Sequence, residues 1–320
     1  MNTAGRLGLY GAGLVMVFGI AFAAAGAIVP DSAVASWMGR SGAGHDGPSP
    51  QGAEQNTQSG MDEEIDVSGV TIAASGYAMG VVEAPDASGV AGELSFVIRD
   101  AAGTPVTSYE TAHGKQLHLI VVRSDGSGYR HVHPERDEHT GTWSLPWTWD
   151  AAGTYRVYAD FTATGGTPVT LSRTVDVAGV FQPRPPTGTE SRVAVDGFDV
   201  SITGALVAGA ASELTVEVSR DGVPVTTLEP YLGAFGHLVA LREGDLAYLH
   251  VHAHGDEPAP GDVAGPEVVF TAQTPTAGRY LLYLDFQVEG TVHTAAFVLD
   301  AEAPADGSST GTGEDEHDEH

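Results

Sequence analysis

From about residue 68 to 301 the chain alternates short apolar runs with breaks rich in Gly, Pro and Asp, and no stretch holds a helical period. Many of the runs carry the two-residue period of a strand. In Tyr155-Arg-Val-Tyr-Ala-Asp-Phe161, alternation puts Tyr155, Val157, Ala159 and Phe161 on one face, the expected core, and Tyr158 and Asp160 on the other. The pattern predicts an all-β protein built of antiparallel β-sandwiches, immunoglobulin-like or cupredoxin-like. The Ala-Gly-x-Tyr stretch at Ala152 and again at Ala277 resembles the tyrosine corner of immunoglobulin-like folds, with Val157 or Leu282 standing where antibody domains carry a cysteine.

The sequence also matches itself. Glu93-Leu-Ser-Phe-Val-Ile aligns with Glu213-Leu-Thr-Val-Glu-Val, Pro105-Val-Thr with Pro224-Val-Thr, and Gly153-Thr-Tyr-Arg-Val-Tyr-Ala-Asp-Phe161 with Gly278-Arg-Tyr-Leu-Leu-Tyr-Leu-Asp-Phe286. Such anchors at nearly constant offset indicate a tandem duplication. The expected partition is a first sandwich at 68–180, a Pro-rich linker at 181–190 and a second sandwich at 191–301. Residues 37–67 and 302–320, poor in apolar side chains, read as a flexible spacer and an acidic His-containing tail.

Residues 1–36 differ from the rest. Leu7 to Val29 is uncharged and mostly apolar, with Arg6 before it and Asp31 after it. About 20 such residues span a bilayer as a helix, and the basic flank belongs on the cytoplasmic side. The expectation is a single-pass transmembrane helix in the cell membrane with the sandwiches outside; cleavage near Ala33-Val-Ala35 would instead give a secreted protein. The net charge of −28 opposes nucleic-acid binding and draws cations. There are no cysteines, which excludes thiolate-ligated zinc and His₂Cys copper sites.

Candidate chemistry lies in two matching segments. His118-Leu-Ile-Val-Val-Arg leads through Asp125-Gly126 to Tyr129-Arg-His131-Val-His133, and His237-Leu-Val-Ala-Leu-Arg leads through Gly244-Asp245 to Tyr248-Leu-His250-Val-His252. A tight turn at those pairs sets His118 opposite His133 and His237 opposite His252. Alternation then brings His131 to the face of His133, so that three imidazoles converge in each hairpin. Asp160 and Asp285 are expected beside them, either as additional ligands or as acceptors of an imidazole N–H. An isolated His-x-His on a strand is usually a solvated face, but the third histidine and the recurrence favour a metal site. Imidazole suits copper(II) and zinc; the 5 methionines supply no copper(I) transfer surface. His113 and His139 read as loop residues, His254 either as an added ligand or as a residue past the strand end, and His293 as peculiar to the second unit.

Three motifs together, Lys115-Gln-Leu-His118-Leu-Ile-Val-Val-Arg123, Tyr129-Arg-His131-Val-His133-Pro134 and Gly153-Thr-Tyr155-Arg-Val-Tyr-Ala-Asp160-Phe161, resemble exported, often membrane-anchored actinobacterial proteins described as heavy-metal or copper-associated. The resemblance implies a metal site at His118, His131, His133 and Asp160. The second unit departs from it, because Ala253 follows His252 where the first unit has proline. The leading expectation is a non-enzymatic extracytoplasmic protein that buffers, stores or delivers copper(II) or zinc, with the metal ion and a membrane metal transporter or exported metalloprotein as partners. Two alternatives stand beside it: an immunoglobulin-like adhesion or scaffold module without metal, and a metal-dependent hydrolase or oxidase. Against the last, the chain has no serine elbow and no His-Glu-x-x-His.

Overall fold

The computed structural model describes residues 69–304 except 250, 256 and 260, and the side chain of His252 is likewise outside the description. The expected anchor, the spacer and residues 305–320 of the tail therefore lie outside the described residues. Among the described residues every regular element is a strand, and no helix is long and apolar enough to cross a membrane.

The first repeat runs β1 (Ala73–Ala74), β2 (Tyr77–Met79), β3 (Gly92–Asp100), β4 (Leu117–Arg123), β5 (Arg130–Val132), β6 (Glu135–Arg136), β7 (Thr142–Trp147), β8 (Gly153–Phe161) and β9 (Val169–Val177). The second runs β10 (Arg192–Val195), β11 (Phe198–Thr203), β12 (Leu206–Val207), β13 (Ala211–Arg220), β14 (Val223–Pro224), β15 (His237–Arg242), β16 (Tyr248–Leu249), β17 (Val251–Ala253), β18 (Glu267–Gln273), β19 (Gly278–Val288) and β20 (Thr291–Glu302). In the first repeat the sheet β1-β2-β3-β7-β6 faces the sheet β5-β4-β8-β9. In the second, β10-β11-β13-β18-β17, with β14 on β13, faces β12-β20-β19-β15-β16. Apart from the parallel β12–β20 pair, the named strands pair antiparallel. This is the tandem immunoglobulin-like sandwich that the strand pattern and the duplication predict.

Each sandwich has its own core. Leu117, Leu119 and Val121 of β4 meet Tyr155, Val157, Ala159 and Phe161 of β8 in the first, the face that alternation assigns to the interior. The tyrosine corner is present twice: the Tyr155 hydroxyl donates to the Ala151 carbonyl at 2.9 Å, and the Tyr280 hydroxyl to the Thr276 carbonyl at 2.7 Å. Both bonds reach back four residues, which ties the loop to the strand that follows it.

A third apolar cluster joins the repeats, which share one compact unit. It consists of Ile120, Val122 and Tyr158 from the first repeat and Val239, Leu241, Leu246, Leu281, Tyr283 and Val298 from the second. All seven residues of β4 are buried, because this strand is covered on one side by its own sandwich and on the other by its neighbour. Tyr158 donates to the Leu246 carbonyl and Tyr283 to the Gly126 carbonyl, both at 2.5 Å, so matching tyrosines are exchanged across the junction. Gly126 adopts φ +82°, and a Cβ there would lie 2.6 Å from Leu281 Cδ1. Gly126→Ala combines left-handed backbone strain with crowding of the junction, and a loss of about 1–3 kcal/mol is expected. Urea denaturation of the full chain measures it; an unchanged midpoint would show that the junction yields at this point.

Candidate metal centre

The site begins with the register of one hairpin. Ile120 pairs with His131 and Leu119 with Val132 between β4 and β5, and the same register carried one step further sets His118 opposite His133, as expected, although the turn closes one residue earlier, with the Gly126 N–H donating to the Arg123 carbonyl. Val132 packs on the first core, so His131 and His133 turn the other way, toward the side of the sheet on which His118, Ile120 and Val122 lie. Pro134 follows at once, and the chain then crosses to the opposite sheet, where Glu135 pairs with Ser144.

A second turn fixes the His118 ring. Ala112 and Lys115 exchange backbone hydrogen bonds of 2.9 and 3.0 Å around His113 and Gly114, whose φ values of 50° and 71° suit a two-residue primed turn. The Ala112 carbonyl lies 3.2 Å from His118 Nε2 and accepts its proton. Nδ1 of His118 is then a lone pair. His131 is fixed from the other side: its Nδ1 donates to Asp285 Oδ2 at 2.9 Å, which turns Nε2 toward His118. His118 Nδ1 and His131 Nε2 face one another at 3.0 Å, and His133 Nε2 approaches the same His118 Nδ1 at 3.2 Å.

Two ring nitrogens at that distance share a proton or a cation between them. Ring nitrogens bound to one tetrahedral zinc at about 2.0–2.1 Å are about 3.3 Å apart, and their ring centres about 5.1 Å. The ring centres of His118, His131 and His133 are 4.9, 5.0 and 5.2 Å apart, and one ligand atom from each lies within 4.8 Å of the others. Their electrostatics agree. Burial, and next the neighbouring His131, pull His118 and His133 down to about 3 from the usual 6.5. Burial takes His237 down to about 4. Neutral imidazole is the form that coordinates. A cavity of about 300 Å³ borders the triad, with His113, His237, Asp160 and Glu257 on its wall.

A family model described as Domain of unknown function (DUF8832) matches residues 72–179 and 193–303, once for each repeat. The chain belongs to this family. No curated protein matches it. Among solved structures, domains 1–6 of the surface layer protein SbsC share 12% identity over 67% of this chain and 24% of that one, at a TM-score of 0.24. The Salmonella alpha-2-macroglobulin mutant Y1175G shares 17% over 74% of this chain and 15% of that one (TM-score 0.25), and the D00-D0 domain of intimin 10% over 70% and 98% (TM-score 0.21). The chain thus spans about a quarter or less of the first two structures. At such scores the likeness carries no functional inference.

The other expected residues surround the triad. Asp285 pairs with His237 in the strand register, as expected for a residue of the second unit, but its carboxylate serves His131 of the first. The reason is the apolar junction, which lays the outer faces of β5 and β19 against each other and stacks Tyr129 on Tyr283 at 4.0 Å. Asp160 pairs with His118 in register, accepts from Thr170 at 2.9 Å and lines the cavity, while the converging nitrogens come from His118, His131 and His133 alone among the described residues. His237 donates from Nε2 to the Tyr231 carbonyl at 2.7 Å, and its ring centre lies 6.1 Å from His131 and 6.5 Å from His118, close to the triad but outside it.

The second hairpin keeps the expected register at Ala240 with Leu249 and Leu241 with Tyr248, then leaves the sheet. His252 pairs with Thr271 of β18, so its backbone is hydrogen-bonded into the opposite sheet. His250 and the His252 side chain fall outside the described residues. Sequence reasoning took His113 only as a loop residue; its ring centre stands 5.4 Å from His237 and 6.1 Å from His118. The signal available for it was His113-Gly114, a turn pair just ahead of His118.

Proposed function

We propose that this chain is a non-enzymatic metal-binding protein whose His118, His131 and His133 hold copper(II) or zinc. The observation that supports it most is the convergence of the three rings, with His118 Nδ1 and His131 Nε2 directed at each other at 3.0 Å by the Ala112 carbonyl and the Asp285 carboxylate. A carboxylate behind a ligating imidazole is the usual means of orienting it. An acidic chain of net charge −28 would concentrate cations around the site. The N-terminal apolar segment and the resemblance to exported copper-associated proteins fit buffering, storage or delivery outside the membrane, with a membrane transporter or exported metalloprotein as partner.

A second reading, a scaffold or adhesion module, is favoured by the shared apolar cluster, which fastens two sandwiches together without needing any ligand. Equilibrium dialysis of the full chain against zinc or copper(II) separates the two. Metal binding that falls by one equivalent in His133→Ala supports the metal centre. Equal binding by both proteins, or none by either, favours the scaffold.

A further inference from the structure

The converging histidines belong to the first repeat, yet the carboxylate that orients one of them comes from the second. The Asp285–His131 contact spans the junction at 2.9 Å, and both side chains are 4% exposed, so water does not compete for it. Thr294 donates to the other oxygen, Oδ1, at 2.6 Å and holds the carboxylate in place. Two residues back along each strand, Tyr129 and Tyr283 stack at 4.0 Å with their rings 2° from parallel. Hydrogen bond and stack are thus adjacent rungs between the same two strands, β5 with its lead-in and β19.

We propose that metal at the triad acts as a clasp between the repeats, with Asp285 as the positioning residue through which it acts; this rests on the metal-binding reading above. A cation on Nε2 withdraws density from the imidazole and makes Nδ1–H a stronger donor, so the bond to Asp285 tightens when metal binds. In the other direction, the carboxylate makes Nε2 a better ligand and holds the ring in the required tautomer. The two effects are one coupling: whatever factor the second repeat adds to metal affinity, metal adds to the closed junction. The apolar cluster joins the repeats independently of the triad. The clasp acts on a junction already assembled, and what it changes is how often the β5–β19 contact opens.

The test uses the full chain, titrated with zinc and with copper(II) against a competing chelator. Asp285→Ala is expected to weaken metal binding on the order of 10–100-fold, and Thr294→Val to weaken it less, in the same direction. Hydrogen exchange supplies the reciprocal readout. In the wild type, metal should slow exchange of the β19 amides around Tyr283 and Asp285, although the ligands are in the other repeat, and in Asp285→Ala that slowing should be lost. A purely structural role for Asp285 would lower the melting temperature of the metal-free protein and leave both the affinity and the metal-dependent protection of β19 unchanged; that result overturns the clasp. Should Asp285→Ala fail to fold, Thr294→Val and the wild-type exchange experiment decide the matter. Absence of metal binding in the wild type would overturn the metal-binding reading itself, and the clasp with it. Binding without protection of β19 would overturn the clasp alone.

Discussion

Lowering the pH of the metal-free chain from about 6.5 toward 4 is expected to unfold it, before most carboxylates have titrated. Burial holds His118 and His133 near 3 and His237 near 4 in the folded chain, whereas in the unfolded chain they return to the usual 6.5. Between those values the unfolded state binds more protons, so the stability these groups contribute is complete above pH 6.5 and is lost as pH falls through the window. One unit of difference is worth about 1.36 kcal/mol, so His118 and His237 each contribute on the order of 3 kcal/mol by pH 4. His133 contributes less, since it is more open to solvent and screened accordingly. Together these terms approach the net stability of a typical domain, about 5–15 kcal/mol. Asp125 and Asp245, each held below the usual carboxylate range with Arg123 or Arg242 beside it, weaken the fold only at lower pH. Urea midpoints at pH 7.5, 5.5 and 4.5 should therefore fall steadily, and imidazole resonances of His118 and His133 should stay neutral at pH 5. A flat midpoint across that range would mean that these rings are not buried as neutral groups.

Zinc or copper(II) at about a hundred times its dissociation constant is expected to stabilise the chain by about 2.7 kcal/mol, provided that it binds the folded form alone. His133→Ala is the variant of choice for removing that gain. The sequence reading, in which these side chains lie at a site and not in a core, implies that His131 and His133 can both be cut back without harm to the fold. The structure separates them. His131 is 4% exposed and bonded to the buried carboxylate of Asp285, so His131→Ala leaves that carboxylate with Thr294 as its remaining hydrogen-bond partner and is expected to cost about 1.5–3 kcal/mol without any metal present. His133 is half-buried and reaches only another imidazole, His118. Thermal melts with and without metal should show a large shift for the wild type and none for His133→Ala, with similar metal-free melting temperatures.

Much of this architecture is legible in the sequence because strands obey simple arithmetic. The pairing of Leu119 with Val132 and Ile120 with His131 is the register read from the sequence and points His118 at His133, although the turn itself closes around Ser124-Asp125, one residue earlier than expected. Alternation likewise places Tyr155, Val157, Ala159 and Phe161 in the core and the Asp160 face outward. What escapes is whatever depends on packing one sandwich against the other. Register within a hairpin carries no information about Asp285 reaching His131 from the second repeat. Two hints were present: Leu-His-Leu-Ile-Val-Val in β4 is apolar on both faces, and Tyr158 and Tyr283 stand on the face opposite the core, where a solvated sheet would carry polar groups. The backbone pairing of His252 departs from the expected register for another reason. The strand that carries it changes sheets after Leu249, and pairing arithmetic holds only while two strands remain neighbours.

X-ray absorption of the full chain loaded with one equivalent of zinc or copper(II) tests the central claim most directly. The account predicts about three imidazole nitrogens at about 2.0–2.1 Å for zinc, with the outer-ring scattering that imidazole produces, and loss of that signature in His118→Ala. A shell of oxygen alone, or a spectrum unchanged by His118→Ala, would contradict it.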